Sequence, residues 1–290
     1  AAIQGSTSIA QIQAYADANG INIEILPFQE HPPALAALAA GQVDALTSDS
    51  VFLTQAAKDN PSFAVVGGRF TSEPYGLGIP TNDSYFRGLV DATLQQLKLN
   101  GEYDRIYEKW FGGDIPYPVE ITPGQWPYTF ASSPVTLTLP TEPGFDTIRK
   151  RGKLIAGVKF DQPPFGFLDD NGDNVGFDID IVREFARRWL GDADAVELVR
   201  VTSQNRIESL AGGEVDLVAA ALPRTWDREL SIDFSQSYLI DSNRLLVNRA
   251  SNIESLFDLD AQTIAVVSGS GIEDELQRQA VQLKIELEIL

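Results

Sequence analysis

The chain says one thing twice. Residues 265–290, AVVSGSGIEDELQRQAVQLKIELEIL, read as a second version of residues 2–26, AIQGSTSIAQIQAYADANGINIEIL. Each copy holds a short apolar strand, a Gly/Ser turn that opens a helix at Ile9 or Ile272, and a second strand ending in Glu-Ile-Leu at 24–26 or 288–290. One compact fold needs one such unit, so one copy must be displaced, frayed or paired with another molecule. A repeat whose period spans nearly the whole sequence points to a segment of a tandem array or to a rearranged order of one protein.

At 290 residues with 43% hydrophobic content, the chain is long enough for two ordinary domains with proper cores. Its 41 acidic against 22 basic residues, a formal charge of −19, argue against nucleic acid or an anionic membrane surface as partner. With no cysteine and a single histidine, His31, the sequence excludes disulfides, thiol catalysis and Cys- or His-rich metal sites, and no cofactor is expected. No apolar run approaches the roughly 20 residues needed to cross a bilayer. Methionine is absent, so Ala1 is not a translation start, and removal of a leader or upstream domain is expected.

Along residues 1–80, short β-like runs alternate with helical ones, which points to a parallel or mixed sheet covered by helices. Residues 83–111 carry apolar positions at helical spacing, broken at Asn100-Gly101, and read as two helices joined by a C-cap turn. Seven of the 16 prolines lie between Pro116 and Pro143, marking an extended connector. Beyond it the alternation resumes through about residue 248. An internal echo, Leu38-Ala-Ala-Gly-Gln-Val-Asp44 against Leu210-Ala-Gly-Gly-Glu-Val-Asp216, links the two halves. Two similar lobes imply a cleft.

Four segments stand out together: Ile155-Ala-Gly-Val-Lys-Phe-Asp-Gln-Pro-Pro-Phe165, Gly176-Phe-Asp-Ile-Asp-Ile181, Gly213-Glu-Val-Asp216 and Arg228-Glu-Leu-Ser-Ile-Asp-Phe-Ser235 with Tyr238. In this combination the chain resembles one family, the extracytoplasmic solute-binding proteins that deliver polar amino acids to ABC importers. Gly5-Ser-Thr-Ser8, Gly41-Gln-Val-Asp44, Asp49, Pro74-Tyr-Gly-Leu-Gly78 and Gly101-Glu-Tyr-Asp-Arg-Ile-Tyr-Glu-Lys-Trp-Phe111 match the family's other lobe, which stands at the front of this chain. The resemblance implies an α/β, two-lobed, periplasmic-binding-protein-like (Venus flytrap) fold, each lobe a mixed sheet flanked by helices, with hinge strands between. The order differs from the family's, as in a tandem fragment or a circular permutant. The implied layout is 1–80 a second-type lobe, 81–113 helices packing on the first-type lobe, and 114–143 a linker. Residues 144–248 would be the first-type lobe, and 249–290 the hinge and the start of a duplicated second-type lobe.

A free amino acid carries a carboxylate and an ammonium, so its cleft must offer a forked donor and a carboxylate. The resemblance places these on Arg228 and Asp49. Thr225 and Ala221 belong to the same implied contact set, and Arg224 is a second candidate for the donor. Unaided by the resemblance, Arg228 reads first as a surface arginine paired with Asp227 or Glu229, and Asp49 first as a helix N-cap. Thr7 and Ser8 open a helix and either donate to the ligand's carboxylate or cap that helix. Lys159 and Gln162 lie in the loop that touches the ligand's side chain in the resembling family, a cation and an amide that suit glutamate, aspartate or glutamine. Asp161 weakens the case for an acidic ligand if it faces the cleft. Phe160 and Phe165 would wall the cleft by stacking, or be plain core. His31, before two prolines, reads as a solvated turn residue, and Gly176-Phe-Asp-Ile-Asp180 as a helix start without ligand contact.

The expected function is capture of a polar L-amino acid (glutamate, glutamine or aspartate favoured) in an interlobe cleft, without catalysis, and its presentation to the membrane subunits of an ABC importer. The expected location is periplasmic or extracellular, with or without a membrane anchor on the full-length protein. A monomer is expected, with strand swapping through residues 264–290 as its hazard. The alternatives are a cyclohexadienyl-dehydratase-like enzyme on the same scaffold, for which no general acid stands out, or a sensory module that binds no ligand.

Overall fold

The computed structural model describes residues 24–69, 72–112, 143–255, 258 and 262–269. The front part runs β1 (Glu24–Phe28), α1 (His31–Ala39), β2 (Ala45–Asp49), α2 (Ser50–Asp59), β3 (Phe63–Val66), β4 (Glu73–Tyr75), β5 (Gly78–Ile79), α3 (Ser84–Leu99) and α4 (Glu102–Phe111). The back part opens with α5 (Pro143–Arg151), β6 (Leu154–Val158), β7 (Asp161–Gln162), β8 (Gly166–Leu168), β9 (Asn174–Val175) and α6 (Phe177–Leu190). It continues with β10 (Val196–Arg200), α7 (Arg206–Ala211), β11 (Leu217–Ala219), α8 (Trp226–Glu229), β12 (Asp233–Phe234), β13 (Leu239–Asp241), β14 (Asn243–Asn248) and β15 (Thr263–Val267).

Two five-stranded sheets result, with strand orders β10-β6-β11-β5-β12 and β1-β15-β2-β14-β3. In each, the first three strands are parallel and the last two pairings antiparallel. The two sheets therefore share one topology and define lobe A and lobe B. In lobe A, β6 and β10 are joined by α6, the ordinary helical crossover between parallel strands. In lobe B the equivalent neighbours, β15 and β1, come from opposite ends of the described chain, with Glu24 opposite Thr263 and Phe28 opposite Val267.

The chain crosses between lobes twice, and each crossing delivers a strand to the far sheet. After β3 it passes through β4 and places β5 between β11 and β12; after β12 it passes through β13 and places β14 between β2 and β3. The two crossing segments pair with each other, Tyr75 opposite Leu239 and Glu73 opposite Asp241, as a two-stranded hinge. Gly78 has no room for a side chain beyond hydrogen: a Cβ there would meet Leu222, Ile232 and Leu210 at 3.1–3.2 Å. The expected end of the first-type lobe at residue 248 is displaced by this arrangement, since β14 is an inner strand of the lobe B sheet. Its apolar run Leu245-Leu-Val247 is buried throughout, which marks an inner strand and does not show in which sheet.

Helices α3 and α4 pack on lobe A. Asp83 caps α3 by accepting from the Phe86 N–H at 2.9 Å, and Gly101, at φ +77°, turns the chain into α4. Phe86, Leu89, Val90, Leu94 and Leu97 of α3 and Tyr103, Ile106 and Tyr107 of α4 share one core with Phe177, Phe185 and Trp189 of α6. Trp189 Nε1 donates to Thr93 Oγ1 at 2.9 Å inside that core. Lobe B has its own smaller core around Leu38, Leu46, Phe52, Leu53 and Leu246. Among the described residues, no helix is long and apolar enough to cross a membrane.

Candidate functional site

A small, partly open cavity of about 10 Å³ lies where the C-terminal ends of the parallel strands of both lobes face each other. Lobe B contributes His31, Ser48, Asp49 and Val267; lobe A contributes Gln162, Ser203, Arg206, Ala221 and Pro223. That volume is near the smallest that holds one water, so the lobes are closed on one another.

Asp49 ends β2 at the N-cap position of α2, yet its side chain makes no cap hydrogen bond. Its two oxygens instead accept from Tyr75 Oη in the hinge and from Gln162 Nε2 across the cleft. Burial pushes the Asp49 carboxyl above its ordinary value, and the Tyr75 hydrogen bond and nearby positive charge oppose that shift.

Arg206 opens α7 and is almost fully buried. Its Nη1 donates to the carbonyls of Ala220 at 2.7 Å and Ala221 at 3.1 Å, while its Nε is buried without a hydrogen-bond partner. Burial first, and the Arg228 charge second, bring its pKa down to about 9, so it remains cationic at neutral pH. A zwitterion's two charges thus have opposite partners in one cavity, Arg206 from lobe A and Asp49 from lobe B.

Arg228 on α8 closes the rim. It donates from Nη1 to the Pro223 carbonyl at 2.7 Å and from Nη2 to the Gly269 carbonyl of lobe B at 2.8 Å. Gln204 Nε2 donates to Ser268 Oγ at 3.1 Å beside it. On the other side Arg200 pairs with Glu30, and His31 with Asp161.

The structure brings together some of the residues the sequence pointed to and separates others. Asp49, Gln162 and Ala221 line the cavity, and Arg228 borders it. Lys159 is fully buried behind the wall, 3.2 Å from Asp161 Oδ1. Phe165 is a core residue packed tilted against Tyr75 and edge-on against Phe111, and Phe160 packs on the same core, so neither walls the cavity. Aromatic rings in a loop beside a large apolar core bury more surface inward than toward a polar cleft. Thr225 takes the N-cap position of α8 without a side-chain cap bond and does not reach the cavity. Arg224 is exposed and paired with Glu229. Thr7 and Ser8 lie outside the described residues.

His31 corrects the reading of a solvated turn. It starts α1, is 2% exposed, and has both ring nitrogens engaged, Nδ1 3.2 Å from Asp161 Oδ2 and Nε2 3.1 Å from Ser48 Oγ. Burial drives its pKa below the ordinary value, opposed by Asp161, so the ring is neutral. The two prolines that follow are a helix-start signal, which would have found it. Arg206 was missed although a signal existed: an arginine in the first turn of a helix opposes the helix dipole and needs another reason to be there.

Residues 154–286 match the family of bacterial extracellular solute-binding proteins, family 3. The chain is 37% identical over 142 residues to the glutamine-binding protein of Geobacillus stearothermophilus, covering 48% of this chain and 54% of that protein. It is 36% identical over 113 residues to the ABC transporter glutamine-binding protein GlnH of Bacillus subtilis, covering 39% of this chain and 40% of that protein. Among solved structures, the cysteine-binding protein of Campylobacter jejuni aligns with a TM-score of 0.30 at 36% identity, over 31% of this chain and 36% of that chain. The chain therefore spans about half or less of the length of these relatives. The matched residues take in β6 to β15, which covers most of lobe A and its crossing into lobe B.

Proposed function

We propose that this protein captures a polar L-amino acid between its lobes, glutamine, glutamate or aspartate before others, and presents it to an ABC importer outside the cytoplasmic membrane. The observation that carries this reading is the pairing of Arg206 and Asp49, opposite charges from two lobes on one cavity. The ligand's carboxylate goes to the Arg206 guanidinium with Arg228 at the rim, and its ammonium to Asp49. The kinship of lobe A with solute-binding proteins, and glutamine binding in the names of two relatives, support it.

Entry requires the lobes to part, because the closed cavity is far smaller than an amino acid. Opening breaks few contacts: Gln162 to Asp49, Arg228 to Gly269, Gln204 to Ser268, the Arg200–Glu30 salt bridge and the His31 hydrogen bonds to Asp161. The ligand replaces the first of these and bridges both lobes, so it shifts the population back toward closure. No step here is catalytic. The only histidine is neutral and engaged at both nitrogens, and it serves as a wall.

Isothermal titration with each of the twenty amino acids tests this. Micromolar or tighter binding of a polar L-amino acid is expected, weakened by about 2–5 kcal/mol in Arg206→Ala and Arg228→Ala, which leave a buried carboxylate without its partner. An absence of heat with every amino acid would sink the reading.

A further inference from the structure

The Asp161 carboxylate does two things at once. Its Oδ1 lies 3.2 Å from the Lys159 ammonium, which is wholly buried. Its Oδ2 faces across the cleft, accepting from the His31 backbone N–H at 3.0 Å and lying 3.2 Å from His31 Nδ1. Lys159 and Asp161 belong to lobe A, while His31 opens the first helix described in lobe B.

This arrangement fixes what the inner wall presents to a ligand's side chain. A carboxylate only accepts, so the His31 hydrogen sits on Nδ1, and Nε2 is left as an acceptor toward Ser48 Oγ, 3.1 Å away. Burial works against the Asp161 charge, but the His31 hydrogen bonds and the Lys159 ammonium outweigh it and hold the carboxyl below the usual range. The Lys159 charge is thereby cancelled before any ligand arrives. The side of the cavity next to Asp161 then presents a neutral imidazole, the Ser48 hydroxyl and the Gln162 amide.

We propose that Asp161 is a specificity-determining residue: by cancelling Lys159 and orienting His31 it selects an amino acid with an uncharged amide side chain over one with an acidic side chain. This rests on the amino-acid-binding function proposed above. An acidic side chain placed against His31 has the Asp161 anion beyond that ring with the nearby cation already neutralised, and it loses its hydration without gaining an opposite charge. An amide exchanges hydrogen bonds with the wall and brings no charge. Asp161→Asn keeps the size of the side chain and an oxygen for the His31 N–H. It leaves Lys159 uncompensated, and an acidic side chain then supplies the missing charge.

The experiment is titration of wild type, Asp161→Asn and Asp161→Asn/Lys159→Met with L-glutamine and L-glutamate, with near-ultraviolet circular dichroism confirming that each is folded. Wild type binds glutamine more tightly. In Asp161→Asn the glutamate-to-glutamine affinity ratio rises by roughly tenfold or more, and in the double variant it returns to about the wild-type ratio. Because the readout is a ratio, a general loosening of the cleft does not move it. Should Asp161→Asn fail to fold, Lys159→Met alone moves the ratio the other way, further toward glutamine. A wild type that prefers glutamate, an unchanged ratio in Asp161→Asn, or a shift that persists without Lys159 overturns the inference and leaves amino-acid binding standing. A wild type that binds no amino acid overturns both.

Discussion

Ala221 holds a φ of +45°, a region that side chains other than glycine's rarely adopt, and it does so at the wall of the cavity. Two groups hold it there. Its N–H donates to Asp178 Oδ2 at 2.8 Å, and its carbonyl accepts from Arg206. The other oxygen of Asp178 accepts from Tyr238 Oη at 2.7 Å. Burial raises the Asp178 pKa to about 6 against these hydrogen bonds, so both oxygens act as acceptors at neutral pH. Asp178→Asn places an amide N–H against one of the two donors. A loss of about 1–3 kcal/mol is expected, read as a lower urea midpoint at constant m; an unchanged midpoint would remove Asp178 from this role. The sequence showed the Gly-Phe-Asp-x-Asp helix start, because glycine before an acidic first turn is a local signal. It could not show that Asp178 props up a residue 43 positions away, since nothing local to either residue encodes that contact. Phe165 was readable only as cleft wall or core for a similar reason: an aromatic residue near a cleft motif is told apart as one or the other only by where the lobes put it.

At the scale of elements, the hinge is where charge is least expected. Glu73 of β4 lies directly opposite Asp241 of β13, in the two strands that carry the chain between lobes. Glu73 Oε1 accepts from Asn243 Nδ2 at 2.6 Å and its Oε2 is buried without a partner; Asp241 accepts from Ser50 Oγ at 2.6 Å and from the Ser242 N–H. Asp49 of β2, Tyr75 of β4, Tyr107 of α4 and the guanidinium groups of Arg206 and Arg228 complete the charged and titratable surroundings. Burial, with the Asp49 charge second, raises Glu73 to about 8 and Asp241 to about 7. For an acid whose folded pKa lies above its unfolded one, stability is fully present below the unfolded value and is lost as pH rises through the folded value. The folded chain therefore holds more protons than the unfolded one between roughly pH 4 and 8. His31, with its folded pKa depressed, contributes the opposite slope only below about pH 6.5. Stability should thus fall from pH 6.5 to 8, by at most about 1.4 kcal/mol per pH unit for each such carboxyl, and Glu73→Gln should flatten that fall. A denaturation series across this range checks it, and a slope unaffected by the substitution would clear Glu73. The alternation of strands and helices made both lobes legible, and the Asn100-Gly101 break made α3 and α4 legible. The exchange of β5 and β14 was not, because an apolar period of two states that a strand is buried without naming the sheet that receives it.

At the scale of the molecule, the lobes close by fitting backbone against backbone at one point. Gly269, just past β15 of lobe B and at φ +75°, lies against Ser203 of lobe A, where an added Cβ would meet the Ser203 carbonyl oxygen at 2.9 Å and its carbon at 3.0 Å. The neighbour there is backbone, which does not swing aside as a side-chain end would. The same glycine's carbonyl accepts from Arg228, so the close approach and the rim hydrogen bond depend on one position. The repeat read from the sequence put residues 265–290 at the start of a duplicated second-type lobe and gave Gly269 only a place in its Gly/Ser turn. What Gly269 does could not be read there, because it depends on a lobe that approaches only after folding. Gly269→Ala therefore holds the lobes apart and also strains the turn, while neither lobe core loses a contact. Ligand affinity should fall by about tenfold or more, with a radius of gyration from small-angle scattering that stays at the open value when a bound amino acid would contract the wild type. A variant that contracts like wild type on adding the same amino acid would show that closure does not need backbone contact at residue 269, and would move the weight of closure onto the Asp161, His31 and Gln162 side of the cleft.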